Sequence, residues 1–104
     1  MPHKRQSQII EVRQTETFRA WLDGLRHDNA RVRIGIRIQR LERGNPGDVK
    51  PVGNGVSEMR IDYGPGYRMY FVQRGKTVVI LLCGGDKRSQ AGDIARAAEM
   101  AQRV

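Results

Sequence analysis

The segment "VVILL", residues 78–82, is apolar at every position, and it constrains the fold of this chain more than any other feature. Successive side chains of a β-strand point to opposite faces, so a strand with one wet face alternates polar and apolar residues. A continuous apolar run belongs to a strand covered on both faces. The run therefore predicts the central strand of a sheet. It is bounded by "QRGKT" and "CGGD", with Gly75 supplying the turn from the strand before it. At 104 residues the chain supports one core, so a single domain over 1–104 is expected.

The neighbouring segments supply the rest of that sheet. In "GYRMYF" Tyr67, Met69 and Phe71 point one way and Arg68 and Tyr70 the other. In "VSEMRID" Met59 and Ile61 face the core, with Glu58 and Arg60 on the opposite side. "GNPGDVKPVGNG" (44–55) reads as a glycine and proline hinge, after which the sheet begins. "QIIEVRQ" (8–14) suits a short first strand. "TETFRAWLDGLR" predicts a helix capped by Thr15 or Thr17, with Phe18, Trp21, Leu22 and Leu25 at helical spacing. A last helix, "SQAGDIARAAEMAQRV", takes Ser89 as cap and turns Ile94, Ala97, Ala98 and Ala101 inward. These elements make an α+β domain.

One segment carries conflicting signals. In "DNARVRIGIRIQRLERG" Ala30, Val32, Ile34, Ile36 and Ile38 alternate with Arg31, Arg33, Gly35, Arg37 and Gln39, the period of a strand. Its length, with Asp28 or Asn29 as cap and Gly44 as terminator, favours a helix. On a helix Ala30, Ile34, Ile38 and Leu41 form one stripe, and Val32 with Ile36 a second that needs a partner.

The chain carries 19 Lys and Arg against 11 Asp and Glu, a formal charge of +8, and 15 of those cations are arginine. Such a surface favours polyanions or an acidic partner. The guanidinium fork grips phosphate or carboxylate at two points, as an ammonium does not. A lone cysteine, Cys83, excludes an internal disulfide and reads as a small buried residue; the isolated His3 and His27 offer no metal-site spacing. No metal or organic cofactor is expected. No window approaches the roughly 18 apolar residues of a membrane span, so a soluble, cytoplasmic protein is expected. "DYGPGYR" lacks P-loop spacing and reads as a hairpin turn.

The stretch "RLERGNPGDVKPVGNGVSEMRIDYGPGYRMYFVQRGKTVVILLCGGDKRSQ", residues 40–90, resembles the RelE/ParE superfamily of toxins from bacterial toxin-antitoxin modules, in particular the addiction-module killer proteins placed beside HigB-like toxins. The order of elements extends the likeness over nearly the whole chain. It implies a RelE-like fold: two N-terminal helices packed on a small, mostly antiparallel twisted sheet, with a C-terminal helix. The segment 28–43 then becomes a helix. The likeness further implies a type II toxin, a ribosome-dependent, metal-independent endoribonuclease acting on messenger RNA. ParE-like members of the same superfamily instead poison DNA gyrase, so fold alone does not fix the target. A non-catalytic nucleic-acid binder or corepressor is the third alternative.

By motif position the likeness assigns Arg68 in "GYR", Arg60 in "EMR" and Lys87 in "GGDKR" to stabilising the phosphorane. Arg88, Lys50 and Arg74 are expected to contact nucleic acid. Two departures stand out. Glu58 occupies a position where the best-known ribonuclease members carry lysine, and Ile94 lies near where they carry a catalytic tyrosine. Strand alternation makes Tyr70 a candidate proton donor and Glu58 a candidate acceptor. Read from the residues alone, Arg60 and Arg68 pair with Glu58 and Asp62 on a solvated sheet, and the three tyrosines pack. The implied partners are a small helix-turn-helix antitoxin, messenger RNA with the ribosome, and operator DNA through the antitoxin complex.

Overall fold

The alternating segments form paired strands in a computed structural model that describes residues 9–104, so the basic start, with His3 and Gln8, lies outside the described residues. Strand β1 is Glu11–Gln14, β2 Val49–Gly53, β3 Val56–Ile61, β4 Tyr67–Arg74 and β5 Val78–Gly85. The sheet order is β1-β5-β4-β3-β2, with β1 parallel to β5 and every other pair antiparallel. The apolar run thus forms an interior strand hydrogen-bonded on both sides, but the middle strand is β4. Val79 and Leu81 pack on one face and Ile80 and Leu82 on the other. The β4–β5 register shifts at Tyr70 and Phe71, opposite Cys83 and Leu81, which leaves Leu82 as the extra residue of a bulge.

Three helices cover the sheet: α1 (Glu16–Asp23), α2 (Asp28–Glu42) and α3 (Gln90–Ala101). Phe18 of α1 and Ala30, Ile34, Ile38 and Leu41 of α2 pack on Met59, Met69, Phe71 and Leu81. Ala97 and Ala101 of α3 pack on Val56, Tyr70, Val72 and Leu82 from the opposite side. The expectation that placed the helices ahead of a sheet is corrected here: the strands lie in the middle, between α1 and α2 on one face and α3 on the other. Ile94 and Ala98 are only partly buried.

The conflicted segment is helical because its helical stripe, Ala30, Ile34, Ile38 and Leu41, is the set the core accepts. Val32 and Ile36, which produced the strand period, stay exposed. Part of the expected hinge is strand β2. Its Pro51 is tolerated at a sheet edge, and Gly53, Asn54 and Gly55, all at positive φ, turn it into β3.

Two expected caps are also corrected. Thr15 caps α1, its Oγ1 accepting from the Phe18 amide at 3.0 Å. The N-cap of α2 is His27, without a side-chain bond, since Asp28 lies inside the first turn and is held by Arg31. Ser89 does not cap α3 by its side chain. Asp86 instead caps a single 3-10 turn, Lys87–Ser89, with Ser89 closing a reciprocal capping box.

Candidate nucleic-acid interface

Residues directly opposite on paired strands share a face. On the α3 side this register creates two polar rows. One runs Arg60, Arg68, Gly85, and the next Lys50, Glu58, Tyr70, Cys83. Helix α3 covers Glu58, Tyr70 and Cys83 of the second row and closes on Gly85 at the end of the first, so the opening lies over Arg60, with Arg68 at its floor. The result is a cleft of about 590 Å³, lined by residues that include Arg60, Arg68, Lys87, Asp48, Asp62 and Tyr67. Arg60 and Arg68 stand opposite each other, a like-charge pairing that costs stability unless countercharge offsets it. Asp48 offers one carboxylate, its Oδ1 3.2 Å from Arg60 Nη2. Of the two carboxylates expected from the sequence to pair with these arginines, Glu58 lies 3.5 Å from Arg68 Nε, whereas Arg60 takes Asp48.

Beneath the cleft floor lies a polar cluster. Glu58 is 0 % exposed. Its Oε2 accepts from the Tyr70 hydroxyl at 3.0 Å and from Gln90 Nε2 at 2.7 Å. Arg68, 9 % exposed, also donates from Nη1 to the Gly66 carbonyl at 2.8 Å. Glu58 Oε1, Arg60 Nε and Arg68 Nε are buried without a hydrogen-bond partner. Unpaired buried polar atoms are costly and mark places built for something other than stability. Burial raises the Tyr70 phenol well above its usual range, and its bond to the Glu58 carboxylate raises it further. Tyr70 and Glu58 are both fully buried and sit behind Arg68 instead of on the open surface where alternation alone had put them.

The "CGGD" motif positions the cleft wall. A Cβ on Gly84 would stand 2.3 Å from the Trp21 ring on the α1 side. One on Gly85 would stand 1.8 Å from Asp93 Oδ2 on the α3 side. The two glycines let both helical layers close on the end of β5, which brings the capped turn and Lys87 over the Pro65–Gly66 loop. The Lys87 amide donates to the Pro65 carbonyl at 3.4 Å. Partial burial pushes the Asp86 carboxyl up, but bonds from the Arg88 amide and guanidinium outweigh it and hold the group below its usual range.

The structure brings Arg60, Arg68 and Lys87 together, with Glu58 and Tyr70 in the layer beneath them. Arg88 is exposed outside the cleft lining and pairs with Asp86. Lys50 is on edge strand β2, opposite Glu58. Arg74 is at the far end of β4, where it donates to the Ala101 carbonyl at 2.7 Å and holds the end of α3. Cys83 is buried, which raises its thiol pKa. Sequence reading missed Gln90, Asp48 and Arg37. Arg37 crosses from α2 to the Arg60 carbonyl at 2.6 Å and the Pro46 carbonyl at 2.9 Å, tying the 44–48 loop to β3. Among the described residues, no group of three or more His, Cys, Asp or Glu is placed to hold a metal, and no helix is long and apolar enough to cross a membrane.

Fold and cleft together define a small α+β protein with a cationic cleft at the open end of a five-stranded sheet. The family model "Phage derived protein Gp49-like (DUF891)" matches residues 20–103, and the chain belongs to this Gp49-like family. It is also 46 % identical over 95 residues to an uncharacterized protein of Haemophilus influenzae (strain ATCC 51907 / DSM 11121 / KW20 / Rd), covering 91 % of this chain and 96 % of that one.

Proposed function

We propose that this chain is the toxin of a type II toxin-antitoxin module, with a RelE-like fold of the HigB-like kind, and that it cuts messenger RNA on the ribosome. The observation that carries this reading is the convergence of Arg60, Arg68 and Lys87, from two strands and a capped turn, in one open cleft. Membership of a phage-derived family fits a toxin of a mobile module.

Attack of a 2′-hydroxyl on the adjacent phosphate forms the 2′-O–P bond and breaks the P–5′-O bond, leaving a 2′,3′-cyclic phosphate and a 5′-hydroxyl that takes its proton from solvent. Negative charge builds on the non-bridging oxygens between these events, and fixed cations lower that barrier because they need no reorganisation. Arg68 is the principal phosphate ligand, since it is held from behind by Glu58 and from the side by Gly66. Arg60 and Lys87 complete the charge. Glu58, with Tyr70 and Gln90, positions Arg68 and does not itself take the proton. The carboxylates that open onto the cleft, Asp48 and Asp62, are the acceptors available to the 2′-hydroxyl. The neutralising partner is a small helix-turn-helix antitoxin, and the pair represses its own operon.

The burial of Glu58 and Tyr70 favours one second reading, a nucleic-acid binder without cleavage. Inducible expression without antitoxin, with protein and DNA synthesis followed separately, distinguishes the readings. Rapid translation arrest that disappears in Arg68→Ala supports the ribonuclease. Early loss of DNA synthesis points to gyrase, and normal growth at confirmed expression points to the binder.

A further inference from the structure

Beside the cleft lies a second cationic groove, built by helix α2. Arg33, Arg37 and Arg40, spaced i, i+4 and i+7, stand on one stripe of the helix and line a groove of about 220 Å³ with Ile36, Ile61 and Asp62. Like charges at this spacing oppose one another and cost helix stability. Among the described residues none of the three forms an ion pair that would offset the cost. Arg37 is engaged with the Arg60 and Pro46 carbonyls, whereas Arg33 and Arg40 are exposed. Arg33 lies 4.2 Å over the Tyr63 ring, which fixes the plane of its guanidinium and leaves the N–H edge free for an anion.

The two grooves meet at one carboxylate. Asp62 lines both the cleft and the α2 groove, with Ile61 beside it. Of the two carboxylates that open onto the cleft, Asp48 is held by Arg60, and Asp62 has no ion pair among the described residues. Asp62 is therefore the acceptor left for the attacking 2′-hydroxyl. That hydroxyl attacks the phosphate on the 3′ side of its own ribose, which the ribonuclease reading puts at Arg60, Arg68 and Lys87. The phosphates on the 5′ side of the same ribose then leave across Asp62 in the other direction, where the free cations are Arg33 and Arg40. We infer that the α2 groove is a second phosphate site, in which Arg33 and Arg40 hold the RNA strand immediately 5′ to the cut and so set which ribose faces Asp62. This inference rests on the RNA reading of the cleft and gives it a polarity, with the 3′ side in the cleft and the 5′ side on α2.

The probe is a defined messenger in which one phosphate at a time is replaced by a neutral methylphosphonate. Its cutting is timed in a reconstituted translation system with the parent chain and with the double variant Arg33→Ala/Arg40→Ala. Neutralising the first or the second phosphate 5′ to the cut ribose is expected to slow the parent by about tenfold or more. The double variant, itself slowed by a similar factor, should lose less than about twofold further, because the partner of that phosphate is already gone. A neutral phosphate on the 3′ side of the cut should slow both chains alike. Arg103→Ala, which removes a cation paired with Glu99 at the far end of the chain, should cut like the parent, so total charge is not the cause. Loss of two exposed cations without ion pairs leaves the fold intact, as circular dichroism will check. A double variant that cuts at the parent's rate, equal slowing of both chains by the 5′ substitutions, or coupling to the 3′ side instead would overturn the inference and leave the ribonuclease standing. A parent chain that leaves the messenger whole would overturn the ribonuclease reading and this inference with it.

Discussion

Replacing Tyr70 by Phe removes one hydroxyl and keeps the ring that packs under α3. That hydroxyl donates to Glu58 Oε2 at 3.0 Å inside a cluster where Glu58 is fully buried and its Oε1 already lacks a partner. A hydrogen bond to a charged group contributes about 1.5–3 kcal/mol net. Gln90, at 2.7 Å, remains, so the loss should fall near the middle, about 2 kcal/mol. For a domain of this size each kcal/mol moves Tm by roughly 4–8 °C, so a fall of about 8–16 °C is expected. Urea unfolding followed by circular dichroism reads the change as a lower midpoint at unchanged slope. RNA cutting below the new Tm should survive, because the hydroxyl is fully buried and turned to Glu58, away from the open cleft. A stability change under about 0.5 kcal/mol would refute the buried-carboxylate argument. Complete loss of cutting in a folded Tyr70→Phe protein would return the phenol to the chemistry.

Three further substitutions test the framework. Gly35→Ala on the open face of α2 should raise stability by up to about 1 kcal/mol, measured by the same unfolding curves. Gly85→Ala, whose Cβ would meet Asp93 Oδ2 at 1.8 Å, should destabilise by about 1–3 kcal/mol and displace the start of α3, seen as amide shifts at Lys87 to Gln90. Asp86→Ala should cost about 0.5–2 kcal/mol through the lost cap and loosen Lys87 over the cleft. Because the Asp86 pKa is depressed in the fold, its contribution is fully present above the ordinary aspartate value of about 3.9 and fades as pH falls through the lower folded value. The difference between parent and Asp86→Ala should therefore shrink in acid.

Local patterns carried much of this fold because each reports a physical demand. "VVILL" required cover on both faces, and α3 on one side with α1 and α2 on the other supply it. Alternation put Arg60 and Arg68 on one face, and pairing placed them opposite each other. Where the sequence misled, a competing interaction decided. Strand β2 was hidden because Pro51 and the surrounding glycines mark a turn, yet an edge strand tolerates them. Ser89 resembled a cap, but Asp86 three residues earlier closes the turn first. Glu58 and Tyr70 looked open because alternation gives a face and not its cover, and α3 lies over that row. Gln90 left no local signal at all, since its partner Glu58 is 32 positions away. The "CGGD" pair was visible as a turn, but the approach of Trp21 and Asp93 that requires both glycines exists only in three dimensions.

The central claim is that the cationic row acts on RNA. Its most direct measurement adds purified chain to a reconstituted translation system and maps 5′ ends on a defined messenger, with and without ribosomes, for the parent protein and Arg68→Ala. New ends inside the translated frame, dependent on ribosomes and lost in a folded Arg68→Ala protein, are the expected result. An intact messenger with a folded parent chain, or the same cuts from Arg68→Ala, would contradict it.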